Sequence, residues 1–115
     1  MDGMTLSILG VNYTVKVTTA TVDKNLSDCA GYCDPTSHKI VIEDCGLDDD
    51  GFDDWLERQN RILRHEILHA FLFESGLGAD ATYIQEGQTH PETMVDWFAR
   101  QAPKIYAVYK TAGII

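Results

Sequence analysis

The stretch RHEILHAF, residues 64–71, decides how this chain of 115 residues is read. It sets two histidines four positions apart, His65 and His69, with Glu66 directly after the first, in a run that otherwise carries Ile67, Leu68, Ala70 and Phe71. On an α-helix, positions i and i+4 stand one turn apart on the same face, so both imidazoles can be aimed at one point. A zinc ion suits that point, since it takes histidine nitrogens at about 2.0–2.1 Å. Glu66 is then placed to reach a water held at the metal rather than the metal itself, the arrangement of two ligands and a general base written HExxH. Burying three polar groups without partners would be costly, which weighs against an accidental pattern.

Working outward, the helix is predicted to start near Asp53, a plausible N-cap, and to stop at Gly76. Leu56, Leu63, Ile67, Ala70 and Phe71 fall near helical spacing on one face, with Ile62 beside them, so the helix should be buried mainly in its C-terminal half. A Gly-containing connection, GLGADATYIQEGQTH, leads to a second helix opening with Pro91 and carrying ETMVDWFARQA to Pro103. The tail KIYAVYKTAGII reads either as a helix ending at Gly113 or as a last strand. Upstream, TLSILG and NYTVKVT are short β-rich runs around Gly10-Val11-Asn12, with Tyr13, Val15 and Val17 on one face. HKIVIED is a further strand, and DKNLSDCAGYCDPTS reads as a loop or short helical turn. Trp55, Trp97 and Phe98 are spaced as core residues.

Composition bounds the function. At 115 residues the chain has room for one hydrophobic core, so a single domain over 1–115 is expected. A net charge of −9 argues against nucleic acid, whose phosphates are bound by clustered Lys and Arg. No run approaches the roughly 20 apolar residues of a membrane helix, and MDGMTLSILG lacks the basic start and apolar stretch of a signal peptide, so a cytoplasmic location without membrane attachment is expected. Three cysteines, Cys29, Cys33 and Cys45, cannot all pair within the chain, which disfavours a disulfide scaffold. Oligomeric state is left open.

Two histidines leave a catalytic zinc site one protein ligand short. The metzincin extension is excluded, because Leu72 and Ser75 stand where it requires glycine and histidine. Downstream, Glu92 and His90 are the leading candidates, with Glu86 and Asp80 behind them in the connection. Glu92 is preferred: it falls in the first turn of the second helix and shares a face with Val95, Asp96 and Ala99, so that Asp96 can hold a ligand histidine by its other ring nitrogen. Tyr83, His90, Tyr106 and Tyr109 are candidate donors to a developing oxyanion.

These residues carry a resemblance. HEILH followed after 22 residues by ETMVD resembles the gluzincin zinc peptidases, in which a glutamate on a following helix is the third ligand and an aspartate four residues later supports a histidine. More narrowly, ETMVDWFARQAP is similar to the corresponding helix of the small phage- and prokaryote-associated ImmA/IrrE-like metallopeptidases, and GYCDPTSHKIVIED resembles the edge strand such minimal zincins place before the active helix. The resemblance spans about residues 31–103. It implies an α+β fold, with a small twisted sheet of three to four strands packed on the HExxH helix and the Glu92 helix across the cleft. It also implies one Zn²⁺ per chain on His65, His69 and Glu92, with Glu66 as general base, and hydrolysis of an extended peptide or protein substrate lying along HKIVIE. Alternatives are a non-catalytic zinc module joining two helices and a regulatory protease acting on one partner protein.

Two other patterns are weaker. Cys29, Cys33, His38 and Cys45 have residue types for a structural zinc, but a strand lies between His38 and Cys45 and separates them. GLDDDGFDDWLE matches a calcium loop at Asp48, Asp50, Gly51 and Glu57, yet has Gly46 where the first aspartate belongs.

Overall fold

The computed structural model describes residues 1–46, 54–77 and 92–115, and of Glu92, Thr93, Val95, Asp96 and Ala99 the backbone alone. The chain opens with a hairpin of β1 (Thr5–Ile8) and β2 (Val11–Thr18), in which Ile8 faces Val11. That register leaves a two-residue turn of Leu9 and Gly10, both at positive φ (50° and 86°). Such a turn matches the right-handed twist of the strands it joins. The turn therefore starts one residue and ends two residues earlier than the Gly10-Val11-Asn12 reading, and Val11 and Asn12 belong to β2.

A 3-10 turn at Lys24–Ser27 leads to β3 (Gly31–Asp34), which pairs antiparallel with β4 (Lys39–Glu43). This strand lies in a segment read from sequence as loop. Its turn is organised by Asp34, whose carboxylate accepts from the Thr36 hydroxyl and amide at 2.6 and 3.0 Å and from the Ser37 hydroxyl at 2.7 Å. Those donors hold the Asp34 carboxyl well below the usual carboxylate range, led by the Thr36 hydroxyl. β4 also pairs with β2, in parallel, giving the order β1-β2-β4-β3. HKIVIE is therefore an interior strand, and the sheet edge beside the helix is β3. The reason is visible in burial: Ile40, Val41 and Ile42 are all fully buried, as a strand flanked on both sides requires, whereas every residue of β3 is half-buried.

Helix α1 (Trp55–Glu74) lies on one face of this sheet. Its Leu63, Ile67, Ala70 and Phe71 join Leu6, Ile8, Tyr13, Val15, Ile40 and Ile42 in the core. Full burial of one such side chain is worth about 1.5–3 kcal/mol, so this stripe fixes the rotation of α1 about its axis. Two polar ties reinforce it. Buried Gln59 accepts from the Cys45 amide at 3.1 Å, and the Tyr13 hydroxyl donates to Glu74 at 2.6 Å. At the C-terminus Gly76, at φ 87°, donates to the Phe73 carbonyl at 3.1 Å and ends the helix as expected. The expected cap Asp53 lies outside the described residues; Asp54 occupies the N-cap without a side-chain hydrogen bond. Leu56 (52% exposed), Trp55 (37%) and Phe98 (53%) are not core, while Trp97 is half-buried against it.

Close approach of α1 to β3 depends on Gly31. A Cβ there would meet Ile62 Cγ2 at 2.9 Å, the Val41 carbonyl oxygen at 3.0 Å and Ile42 Cγ2 at 3.2 Å. Since the carbonyl belongs to the sheet and cannot yield cheaply, Gly31→Ala is expected to cost about 1–3 kcal/mol, the range of an overpacked core. A lowered urea midpoint with unchanged slope is the expected readout. An unchanged midpoint would mean that α1 can lift off β3 freely.

Helix α2 (Glu92–Ala112) does not stop at Pro103 but runs nine residues beyond it. Proline removes a single backbone donor and crowds the carbonyl four residues back, a local cost. Beyond it the burial of Ile105, Ala112 and Ile114 rewards continuation. The tail is thus the helical alternative, closed by Gly113 at φ 72° with amides of Gly113 and Ile114 donating to the Lys110 and Tyr109 carbonyls. The architecture is α+β, with a four-stranded mixed sheet and two α-helices among the described residues. No helix among the described residues is long and apolar enough to cross a membrane.

Candidate metal centre

The apolar stripe of α1 dictates where its polar residues go. With Leu63, Ile67 and Ala70 turned to the sheet, Glu66 falls at the border of the stripe on the β3 side, and His65 and His69 fall beyond it in solvent reach. The histidines meet as the i, i+4 spacing predicts: their Nε2 atoms are 3.1 Å apart, with ring centroids at 4.8 Å and planes at 69°. Two nitrogens bound to one tetrahedral zinc at about 2.0–2.1 Å would be separated by about 3.3–3.4 Å. The pair therefore fits the metal with a shift of a few tenths of an ångström. Partial burial, and secondarily His65, depress the His69 pKa and so favour the neutral imidazole, the form that binds metal.

Glu66 is only 6% exposed, and among the described residues its carboxylate has no hydrogen-bond or ion-pair partner. Burial raises its pKa; neighbouring His65 opposes that in part. A carboxylate kept in such a position at the cost of desolvation is what a general base requires, and it has no evident use in stabilising the fold. It lines a cavity of about 330 Å³ together with Cys29, Ala30, Gly31, Arg61, Ile62 and His65.

His65, Glu66 and His69 are thus brought together. Among the described residues no third His, Cys, Asp or Glu joins them. His90 and Tyr83 lie outside the described residues, as do Asp80, Glu86 and the aspartates of the calcium-like loop, and the side chains of Glu92 and Asp96 are likewise not described. The course of α2 is. Trp97 Nε1 donates to Ser75 Oγ at 3.0 Å and the Tyr109 hydroxyl donates to the Arg64 carbonyl at 2.9 Å, so α2 runs antiparallel to α1. Arg64 and Ser75 lie roughly 80–140° around α1 from the histidines at about 100° per residue. Glu92, five residues before Trp97, accordingly begins α2 past the Ser75 end of α1. Of the oxyanion candidates, Tyr109 has its hydroxyl committed to Arg64, and Tyr106 is exposed.

Sequence reasoning overlooked Arg61 and Gly31, which share the Glu66 cavity. Arg61 stands four residues before His65, so the helical spacing that found the histidines would also have found it.

Cys29 is exposed, Cys33 half-buried and Cys45 buried, and they form no ligand cluster with His38 among the described residues. Burial pushes the Cys33 thiol up to about 12 and the Cys45 thiol up to about 11, away from the thiolate that zinc takes. Compared with protein-family models, curated proteins and solved structures, the chain matches none of them.

Proposed function

We propose that the protein is a zinc-dependent metallopeptidase centred on His65, Glu66 and His69. The observation that carries this reading is the combination of two converging Nε2 atoms with a buried carboxylate beside them that has no partner among the described residues. His65 and His69 hold the ion with a third ligand proposed to be Glu92, supported by Asp96, with His90 as the alternative. The side chains of Glu92, Asp96 and His90 are not among those described, so the choice between the two ligands rests on sequence spacing. Zinc in such a site supplies Lewis acidity and lowers the pKa of water toward about 7. Glu66 would act as the base that takes a proton from the attacking water and would return it to the amine nitrogen as the C–N bond breaks. Burial raises the proton affinity of Glu66 and suits it to both steps. The substrate backbone is proposed to lie along the outer edge of β3, which among the described residues pairs with β4 alone.

The test is zinc content by plasma mass spectrometry in metal-free buffers, paired with cleavage of a quenched peptide library. About one zinc per chain is expected, lost in His69→Ala together with cleavage. A chain that takes up no added zinc would overturn the reading. Zinc with no cleavage of the library or of partner proteins from the same genome would leave the non-catalytic module.

A further inference from the structure

The three arginines of α1 differ in what holds them. Arg58 is paired with Glu43 at 2.8 Å, and Arg64 with Glu57 at 2.7 Å and with the Ile114 carbonyl. Arg61, between them, has no hydrogen bond or ion pair among the described residues. It is exposed and lines the same cavity as Glu66 and His65. The other walls are uncharged: Ile62 from the helix, and Cys29, Ala30 and Gly31 from the segment entering β3. The Cys29 thiol donates to the Asn25 carbonyl at 3.2 Å. At about 330 Å³ the cavity is at the small end of ligand pockets and has room for one or two amino-acid side chains.

Resting on the peptidase reading for its place in the reaction, we propose that this cavity is a specificity subsite for a substrate carboxylate, recognised by the Arg61 guanidinium. The geometry fixes which part of the substrate enters. Arg61 is one helical turn, about 5–6 Å, from His65, so the carboxylate belongs to a residue within one or two positions of the scissile bond. The guanidinium offers a planar fork of donors that matches a carboxylate in two bonds, and a lysine or arginine of a substrate would meet it as a like charge. Glu66, the one anionic group of the cavity, is next to His65 and five residues along α1 from Arg61. The overall charge of −9 repels acidic peptides at long range, so the preference is local and persists at 0.15 M salt, where the Debye length is about 8 Å.

The carboxylate can come from an aspartate or glutamate side chain or from a free C-terminus. Fluorescence anisotropy of labelled peptides distinguishes them: blocked alanine-rich hexapeptides with a central Glu, Gln or Lys, and an all-alanine hexapeptide with a free or amidated C-terminus. Binding is read on the zinc-treated protein and on Glu66→Gln, so that no turnover is needed. The Glu peptide, or the free-acid peptide if the source is terminal, is expected to bind about three- to tenfold tighter than its neutral counterpart, the range of a partly exposed charge-assisted pair. Arg61→Gln should abolish that ratio and Arg61→Glu should invert it toward Lys, while Arg58→Gln, which removes the same charge elsewhere on α1, should leave it intact. Equal ratios in the unmodified protein and Arg61→Gln, a shift equally produced by Arg58→Gln, or no binding of any peptide would overturn the subsite. Charge-selective binding without cleavage would overturn the peptidase reading and leave the subsite standing; cleavage without charge selectivity would do the reverse.

Discussion

Glu66→Gln is expected to keep zinc at the level of the unmodified chain and to lower peptide cleavage by about 10²–10⁴-fold, the contribution of a positioned general base. Glutamine has nearly the same shape, so the packing of Leu63, Ile67 and Ala70 around it is preserved, and it cannot accept the proton. Equal cleavage in the two proteins would remove Glu66 from the chemistry and favour a zinc module without turnover. The same substitution carries a second expectation of opposite sign, in stability. Burial raises the folded-state pKa of Glu66 above its unfolded value, so at pH between the two the folded chain binds more protons than the unfolded one. By linkage, stability then falls as pH rises through that window, and the cost of the buried charge is fully present above it. The metal-free Glu66→Gln protein should therefore be more stable than the unmodified one at pH 7, with the difference shrinking as pH falls below the unfolded value near 4.5. Urea titrations at pH 7 and pH 4 measure it. Loss of activity with gain of stability is the signature of a residue held for chemistry rather than for the fold.

How much of this was legible in the sequence follows from the range of each interaction. The α1 helix, its burial stripe and the convergence of His65 and His69 are set by residues three and four apart, and helical periodicity alone places them. The hairpin is equally local, although Leu9 at positive φ displaced the turn by one position, because a leucine gives no sign of that conformation. β3 was missed for a different reason. Its four residues, GYCD, alternate nothing apolar and gain their strand from pairing with β4. Once β3 occupies that edge, HKIVIE becomes interior, so one unrecognised short strand made an interior strand read as an edge. Pro103 misled as a helix stop, because the reward for continuing comes from Ile105 and Ile114, which lie further along the chain and pay off only in the tertiary core. The proposed third metal ligand is the least legible of all. It depends on where α2 crosses α1, which is governed by contacts such as Trp97 to Ser75 and Tyr109 to Arg64 that no periodicity announces.

That dependence gives the second large effect. If Glu92 completes the site, Glu92→Ala should reduce bound zinc from about one per chain to well below it in metal-free buffers, and His90→Ala should leave it unchanged. Asp96→Asn, which keeps shape but weakens the acceptor for a histidine N–H, should lower zinc affinity by about 10–100-fold, the effect of removing a partner that orients a ligand. A competition titration against a chromophoric chelator reads all three proteins on one scale. The antiparallel course of α2 makes the opposite result informative. Full zinc in Glu92→Ala with loss in His90→Ala would place the third ligand in the chain between α1 and α2, which is closer in sequence to the end of the HExxH helix and needs no crossing of α2 over the histidine flank. Full zinc in both variants would leave the ion on His65 and His69 with a donor outside this pair of candidates. A site of that kind binds metal through two neighbouring imidazoles, as many helices with histidines at i and i+4 do, and Glu66 would then stand as the one feature of the helix that asks for catalysis.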